Sequence, residues 1–355
     1  IMKFAAHQAY LHTRVSAMAT RLFQPGTLAL LAERRVEELA AEYDLTAALE
    51  SQLPVKARSR AVEQALINTL LAELRVLIRP MDAPERTLIL DWGRHYALAN
   101  LKTLIRGKLH DLDRKVIASN LYELPHDLRL PMQDSLFQAE NVLELLRQLE
   151  GGPYSFIARQ ARVVFERQQE PFALEAAIDQ RYLTGLVRDI APFPEQECPC
   201  LRRLIGALLD RIDILWLLRF RFAYQLSSSV TFFQLVPSVR RLHRERLLAL
   251  VNLDSFAAVL AALPPPFEAL LAGSHDHMEV QRRLNAYVRG EALDVIHKGQ
   301  TGVARAMAYL ILREQDLMAL FSLIQGRLLE LPAQVIKVAI ETSGARCHPS
   351  QRQAA

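Results

Sequence analysis

A nine-residue pattern occurs three times in this chain of 355 residues and limits the folds that it can adopt. The copies occupy residues 100–108, 213–221 and 319–327. Each has apolar residues at its second, fifth and sixth positions and ends on a Lys or Arg. This spacing is typical of one face of a helix. Because the copies start 113 and 106 residues apart, they predict three domain-sized helical units rather than a short-period solenoid.

The segments around the three copies repeat as well. A glutamate among apolar residues precedes the copies by 37, 38 and 40 residues. These glutamates are Glu63, Glu175 and Glu279. After the first copy, the pattern of residues 111–117 returns at residues 330–336. The units that we predict are residues 1–125, residues 126–237, and residues 238–355 with a polar C-terminal tail.

The composition favours helices throughout the chain. Hydrophobic residues make up 51% of it, whereas there are only 13 glycines and few runs of β-branched residues. Residues 142–149 and 256–263 carry apolar side chains at i, i+3, i+4 and i+7, and Gly or Pro follows each stretch. We therefore predict an all-α protein without strands.

Charge and the lack of nucleotide motifs argue against several classes of function. The net charge is +4, but 43 basic and 39 acidic residues are interspersed, which speaks against nucleic-acid binding. No Gly-x-x-x-x-Gly-Lys phosphate loop occurs, so we predict a non-catalytic chain without cofactor or small-molecule substrate. The long uncharged stretch at residues 223–239 is interrupted by Ser and Pro, and we expect no membrane span and no secretory leader.

Three small polar groups could suggest metal chemistry, but each has a structural interpretation that we favour. His110 and Asp111 lack the further ligands of a metal-dependent phosphohydrolase. The pair Cys198 and Cys200 has half the pattern of a zinc site, and no second pair at ligand spacing follows. The helix that includes Asp210 carries too few carboxylates to bind Mg²⁺ as isoprenoid synthases do. We therefore predict no metal site.

Cations at the ends of the three copies, together with a basic stretch at residues 239–246, are the candidates for partner binding. Two interpretations remain open, because a cation at a helix C-terminus also stabilises the helix dipole and the free carbonyls. We also expect the repeated glutamates to pair with these cations inside each unit. The candidate residues are Arg106, Lys108, Arg219, Arg221, Arg240, Arg241, Arg244 and Arg327.

The chain resembles the C subunit of bacterial and archaeal V/A-type ATPases, the counterpart of the d subunit of eukaryotic vacuolar ATPases. The resemblance rests on five motifs that occur in the family's order between about residue 10 and about residue 340. They begin at Tyr10, Asn100, Leu174, Ile212 and Leu320. The chain departs from the family pattern at Ala319, Gln325 and Phe220, where Asn, Arg and Gly are expected, and these changes favour a packing role for the motif.

This resemblance implies a funnel of three pseudo-threefold-related helical subdomains on the cytoplasmic face of a membrane. Its base would rest on the proteolipid c-ring, and its mouth would receive the shaft made by the D and F subunits. The implied function is a peripheral central-stalk subunit that couples ATP turnover to proton or sodium transport. The alternative is an all-helical scaffold or adaptor protein unrelated to rotary ATPases, whose grooves bind partner helices.

Overall fold

A computed structural model describes residues 2–50, 52–131 and 133–343, and every regular element in these ranges is helical. The predicted all-α class is therefore confirmed, whereas most of the predicted polar tail lies outside the described residues. The first helices are α1 (Met2–Ala19), α2 (Thr27–Glu33), α3 (Val36–Glu42), α4 (Val55–Ile78), α5 (Ala83–Gly93), α6 (His95–Leu109) and α7 (Arg114–Ser119). Next come α8 (Gln133–Gln138), α9 (Val142–Gln148), α10 (Ser155–Gln168), α11 (Pro171–Asp189), α12 (Pro199–Leu218) and α13 (Ser228–Gln234). The last are α14 (Arg244–Val251), α15 (Phe256–Ala262), α16 (Phe267–Leu271), α17 (His277–Lys298), α18 (Gly302–Leu328) and α19 (Ala333–Thr342).

Each copy of the repeated pattern lies at the C-terminal end of a long buried helix, namely α6, α12 or α18. In the first part of the chain this helix is divided at Arg94, where α5 ends and α6 begins. The start of α5 is fixed by Asp82, whose side chain accepts a hydrogen bond from the backbone N–H of Glu85 at 3.0 Å. The side chain of Glu85 in turn accepts from the N–H of Asp82, which completes a capping box.

The three motif helices end in the same kind of turn. A residue in the left-handed region follows each end, at φ values of 49°, 55° and 53°. These residues are Asp111, Gln225 and Glu330. The next N–H group donates back to a carbonyl of the last turn over 2.9, 2.8 and 2.9 Å, as in a Schellman cap. The turn therefore recurs in all three parts of the chain, including the second, where the sequence pattern is blurred.

The glycines of the first and third copies are required by close packing. A Cβ atom at Gly107 would overlap Ile117 of α7, and one at Gly326 would lie 2.6 Å from Ile336 of α19. Phe220 occupies this position in the second copy because the chain forms a π turn, Arg219–Ala223, which adds one residue before the cap. The departure from Gly at this position is thus accommodated by backbone geometry.

Packing between the long helices links the parts of the chain in a closed order. Helices α5 and α6 pack against α11, helix α12 packs against α17, and helix α18 packs against α4. The N-terminal helix α1 also packs along α18, which brings the beginning of the chain against its last long helix. The large side chains Trp92, Trp216 and Tyr309 are fully buried in the resulting core.

The segments that lead out of the first two copies are held by equivalent side chains. The Asn100 amide donates to the carbonyl of Tyr122 at 2.8 Å and accepts from its N–H at 2.7 Å. Asp213, at the same position of the second copy, accepts from the N–H of Val236 at 2.9 Å. Ala319 has no polar side chain with which to form this contact. Both contacts lie beside the predicted unit boundaries at residues 125 and 237, which remain predictions.

Within the described ranges, no helix combines the length and the apolar character that crossing a bilayer requires.

Candidate partner-binding surface

Exposed apolar side chains concentrate where the three motif helices end. They lie in the capping turns and in the short helices α7, α13 and α19 that follow these turns. Phe233 is the most exposed of them, at 70% of its surface. We call this set the apolar rim, and its members are Leu112, Val116, Tyr224, Val230, Phe233, Leu329, Leu331 and Val335. Because apolar side chains of this size gain by being covered, repeated exposure at three matching positions indicates a contact surface.

A cavity of about 1500 Å³ opens beside α7 and α19, two of the short helices that carry the apolar rim. Its wall includes residues of α4, α6, α7, α8, α18 and α19, so the first and last parts of the chain meet around it. The wall includes Val116 of the apolar rim, Phe321, Gln325 and Arg106. A cavity of this size can receive part of a partner protein rather than only a small ligand.

The candidate cations of the first copy are engaged inside the chain. Arg106 donates two hydrogen bonds to Glu175 of α11, each of 2.5 Å, and this ion pair raises the pKa of the guanidinium. Lys108 donates to the carbonyls of Phe137, at 2.6 Å, and Ala139. The cations of the first copy are thus occupied by contacts with α11 and with the region of α8.

The predicted pairing of each repeated glutamate with the cations that end the copy of its own unit is wrong. Glu175 pairs with Arg106, which belongs to the preceding predicted unit. Glu63 instead forms an ion pair with Arg60 at 2.9 Å, and Glu279 pairs with Arg283 at 2.6 Å. The glutamates do recur at a regular spacing. However, Glu175 of one predicted unit pairs with Arg106 of another, and a sequence pattern within one unit does not reveal such a pair.

Most of the other candidate cations also have contacts within the chain. Arg221 donates to the carbonyls of Val251 and Leu226 over 2.9 and 2.8 Å. Arg327 donates to the carbonyls of Arg34 and Ala32. These contacts match the helix-end interpretation, in which a cation satisfies free carbonyls. Arg219 follows α12 directly and lies near His277, whose pKa is lowered first by burial and then by this positive charge.

The basic stretch at residues 239–246 is similarly anchored. Arg240 lies 3.3 Å from Glu291, and its side chain packs on Gly206 of α12. Arg241 donates to the carbonyl of Pro265. The guanidinium of Arg244 lies over the ring of Phe232 at 5.0 Å, in a cation–π contact next to the apolar rim. A role of these cations in partner binding remains a prediction.

Buried ion pairs that the sequence pattern did not single out connect the long helices. Lys102 of α6 is 1% exposed and forms an ion pair with Asp179 of α11, which is 5% exposed. Burial raises the pKa of Asp179, and the charge of Lys102 opposes this effect. Lys102 belongs to the first copy of the pattern, where it could have been noticed as a charge on the apolar side of the helix.

A second buried network joins α18 to α4. Glu73 accepts hydrogen bonds from the Tyr309 hydroxyl at 2.6 Å, from Arg313 at 3.2 Å and from Arg21 at 3.0 Å. Burial, and then the charge of Glu73, raise the pKa of Tyr309, so its hydroxyl stays a donor. The residue after Arg313, Glu314, accepts a hydrogen bond from the hydroxyl of Tyr96 in α6 at 2.6 Å. Such satisfied networks fix the relative position of the helices.

The third contact, between α12 and α17, is polar as well. Arg211 donates to Asn285 at 2.7 Å, and Arg203 forms ion pairs with Asp294 and with Glu291, the latter at 3.2 Å. The contacts of α6 with α11, of α18 with α4 and of α12 with α17 are therefore each fixed by polar groups. A body joined in this way resists relative movement of its parts, because a shift would break several buried interactions at once.

The His, Asp and Cys residues that could suggest a metal site lie at the ends of helices. His110 is the C-terminal cap of α6, and Asp111 forms the left-handed turn that follows. Cys198 and Cys200 lie at the start of α12 as free thiols. Within residues 2–50, 52–131 and 133–343, no three His, Cys, Asp or Glu side chains are grouped to hold a metal ion.

Asp210 and Asp213 hold the segment that connects α13 to α14. Asp210 accepts hydrogen bonds from the Ser238 hydroxyl at 2.5 Å and from the N–H of Leu242 at 3.1 Å. Asp213 accepts from Val236, and its second oxygen is buried without a partner among the described residues. Burial raises the pKa of Asp213 well above its usual range, and hydrogen bonding only partly opposes this effect.

The variant Asp213→Asn is expected to be at least as stable as the parent chain at neutral pH. A folded pKa above the unfolded value means that the folded state binds more protons, so the parent gains stability as pH falls toward the unfolded pKa. The amide keeps the bond to Val236 and carries no charge, and its advantage should therefore shrink on acidification. Urea unfolding of both proteins across this pH range measures the difference. An advantage that grows in acid would contradict the assignment, and Asp213→Ala, which loses the acceptor, should be destabilised throughout.

Comparison with known proteins identifies the family of this helical chain. The family model described as ATP synthase (C/AC39) subunit matches residues 11–338. The chain belongs to this family. Among its relatives is the C subunit of the A-type ATP synthase of Methanocaldococcus jannaschii, which is 24% identical over 94% of this chain and 86% of its own length. The corresponding C subunit of the A-type ATP synthase of Methanosphaera stadtmanae is 23% identical over 72% of this chain and 68% of its own length.

Membership confirms the resemblance that the sequence motifs indicated, and it also agrees with the prediction of a non-catalytic subunit. It disfavours the alternative of an adaptor protein unrelated to rotary ATPases. The matched range, residues 11–338, includes all three copies of the repeated pattern and all three capping turns. The apolar rim therefore lies within the part of the chain that the family shares.

Proposed function

We propose that this chain is the central-stalk subunit that seats a rotating shaft, made by the D and F subunits, on the membrane proteolipid c-ring. In this role it acts on the cytoplasmic face of the membrane and is held there by its partners. It couples ATP turnover in a catalytic sector to the transport of protons or sodium ions. Family membership and the names of the relatives support the assignment to an A-type or V-type ATP synthase.

The proposal rests on one observation, which is that the three motif helices α6, α12 and α18 all end in the same way. Each motif helix ends in a left-handed turn and is followed by a short helix with exposed apolar side chains. The proposed arrangement is a funnel of three pseudo-threefold-related subdomains, at residues 1–125, 126–237 and 238–355. The closed order of helix packing, in which α18 returns to α4, supports it. So does the contact of α1 with α18.

The proposed mechanism is mechanical. Torque passes through a coupling subunit only if its parts keep their positions, and the buried contacts between the long helices provide that rigidity. The cavity of about 1500 Å³ is the proposed seat for the tip of the shaft, and the apolar rim, whose member Val116 lines this cavity, is the proposed contact surface. Reactive groups are not needed for such a role.

Membrane vesicles from cells that lack this chain test the proposal. We expect ATP hydrolysis by the soluble catalytic sector to continue, while ATP-driven ion uptake is lost because rotation no longer reaches the membrane ring. Re-expression of the parent chain should restore uptake, and so should the surface variant Arg167→Gln, which alters an exposed residue of α10. Full ion uptake by vesicles without the chain would contradict the coupling role.

A further inference from the structure

A second cavity, of about 870 Å³, is lined by several arginines and shares one lining residue, Arg129, with the first cavity. It forms where the end of α4, helix α5 and the segment at residues 126–131 come together. We call it the arginine cavity. Five arginines line it, namely Arg75, Arg79, Arg86, Arg94 and Arg129, and His126 lies among them. Of the described residues in the lining, one is acidic, Asp127.

These arginines are poorly neutralised by the protein. Arg79 and Arg129 form no hydrogen bond or ion pair with any residue that the structure describes. Among the residues that the structure describes, Arg86 donates only to backbone carbonyls, at 3.1 Å to that of Met81, and Arg75 lies 3.6 Å from Asp127. Arg94 alone has a close ion pair, with Asp91. Several like charges around one concave space repel each other, so an anion placed between them would stabilise the group.

A polar side chain without a partner points to a ligand as well. Tyr154 lines the arginine cavity and is 2% exposed, and its buried hydroxyl has no hydrogen-bond partner in the described part of the chain. Its ring lies 6.0 Å from the guanidinium of Arg94. Burial raises the pKa of Tyr154 to about 12, so the hydroxyl remains a donor at neutral pH. A buried donor without an acceptor is unfavourable unless a bound group supplies one.

We propose that the arginine cavity binds a polyphosphate group, carried either by a soluble anion or by a lipid headgroup. Guanidinium groups match phosphate oxygens with paired hydrogen bonds, and arginine is the residue best suited to this geometry. A polyphosphate carries several negative charges within a small volume, and this arrangement complements the positive charges of five arginines around one cavity. An acidic peptide carries one charge per side chain and would have to crowd several residues into the same space.

The lining also offers an apolar wall for the remainder of such a ligand. Ile78, Leu90 and Leu130 contribute to this wall, and Pro131 and Pro153 border it. The cavity lies between α4 and α5 of the first predicted unit and the beginning of the second. A bound polyphosphate would therefore link two parts of the chain through its charges. This binding would not involve chemistry on the ligand.

Titration of the purified full-length chain with inorganic tripolyphosphate tests the proposal by calorimetry. We expect saturable binding that weakens as salt concentration rises, because the charges are partly exposed. In the variant Arg79→Gln/Arg129→Gln, the Kd should rise at least about tenfold through the loss of two charged contacts. In Tyr154→Phe, which removes only the hydroxyl, it should rise about fivefold.

A matched control separates site binding from general charge attraction. The variant Arg159→Gln/Arg167→Gln removes the same number of charges from exposed positions of α10, outside the cavity, and should bind tripolyphosphate as the parent does. An equal loss of affinity in this control would overturn the proposal. So would the absence of saturable binding by any phosphate probe.

Two further probes distinguish the sources of the phosphate. Vesicles of phosphatidylcholine with phosphatidylinositol bisphosphate are compared with vesicles of phosphatidylcholine alone. Binding to the former that is lost in Arg79→Gln/Arg129→Gln assigns the site to a lipid headgroup, and binding of tripolyphosphate alone assigns it to a soluble anion. Saturable binding of polyglutamate without binding of either phosphate probe would overturn the proposal in favour of an acidic protein segment.

Discussion

Replacement of Lys102 by Met is expected to lower the free energy of unfolding by about 3–5 kcal/mol, the usual cost of removing one partner of a buried ion pair. Lys102 and Asp179 are both buried, and they join α6 to α11. Without Lys102, the Asp179 carboxylate would lose its closest positive charge in an environment that already raises its pKa. Urea unfolding measures the change as a lower midpoint with an unchanged slope.

Removal of both charges should restore most of this loss. In Lys102→Met/Asp179→Leu, neither charge is left in the core, and apolar side chains of similar size can pack in the same space. The exposed pair of Arg34 and Glu42 provides a control, because Arg34→Gln should change the stability by less than about 1 kcal/mol. A double variant as unstable as Lys102→Met would show that the site cannot repack, and a Lys102→Met variant with parental stability would contradict the buried pairing.

The pH dependence of Lys102→Met has a defined sign. The raised pKa of Asp179 means that the folded state binds more protons than the unfolded state between the two pKa values. The loss of the Lys102 charge should raise this folded pKa further. The stability deficit of the variant should therefore be largest at neutral pH and shrink as pH falls, because a protonated Asp179 needs no counter-charge.

Local patterns were sufficient to predict the helices and the repeat. Apolar spacing placed the three copies on helices, and the offset between the first and third copies reappears in the contacts of Gly107 with Ile117 and of Gly326 with Ile336. These features depend on residues about ten positions apart. A helix end and its capping turn are determined by short-range geometry, which is why the sequence reveals them.

Partnerships between distant helices could not be predicted in the same way. Glu175 contacts Arg106 from 69 residues away, and Glu73 contacts Arg313 from 240 residues away. No periodicity records which two helices pack together. The segment after the second copy does not match the other two, and the cause is local and equally hidden: the π turn at Arg219–Ala223 shifts the capping turn by one residue. The apolar rim was missed because exposure depends on which helix faces remain uncovered.

Substitution of one rim residue at each of the three motif-helix ends is expected to weaken assembly strongly without unfolding the chain. The variant Val116→Ser/Phe233→Ser/Val335→Ser replaces exposed apolar side chains by small polar ones. Exposed positions contribute little to folding, so each change should alter the stability by no more than about 0.5 kcal/mol. At an interface, the same changes remove the apolar area that partner contact would bury, and binding should weaken at least about tenfold.

Membranes stripped of the parent chain and supplied with purified variants provide the measurement. The amount of chain retained and the ATP-driven ion uptake are recorded together. Leu30→Ser/Leu248→Ser/Met278→Ser is a matched control, because it removes three exposed apolar side chains that lie outside the apolar rim. Normal assembly of the rim variant, or equal failure of the control, would reject the apolar rim as the contact surface.

Single substitutions then show whether all three motif-helix ends contact the partner or only one of them does. If the three ends contribute equally, Val116→Ser, Phe233→Ser and Val335→Ser should each cause part of the loss. Their free-energy effects should then add up to that of the triple variant, because distant sites act independently. If one end alone binds the partner, a single variant should reproduce the whole loss while the other two assemble normally. The second outcome would leave partner binding by the chain intact but contradict its proposed threefold arrangement around a shaft.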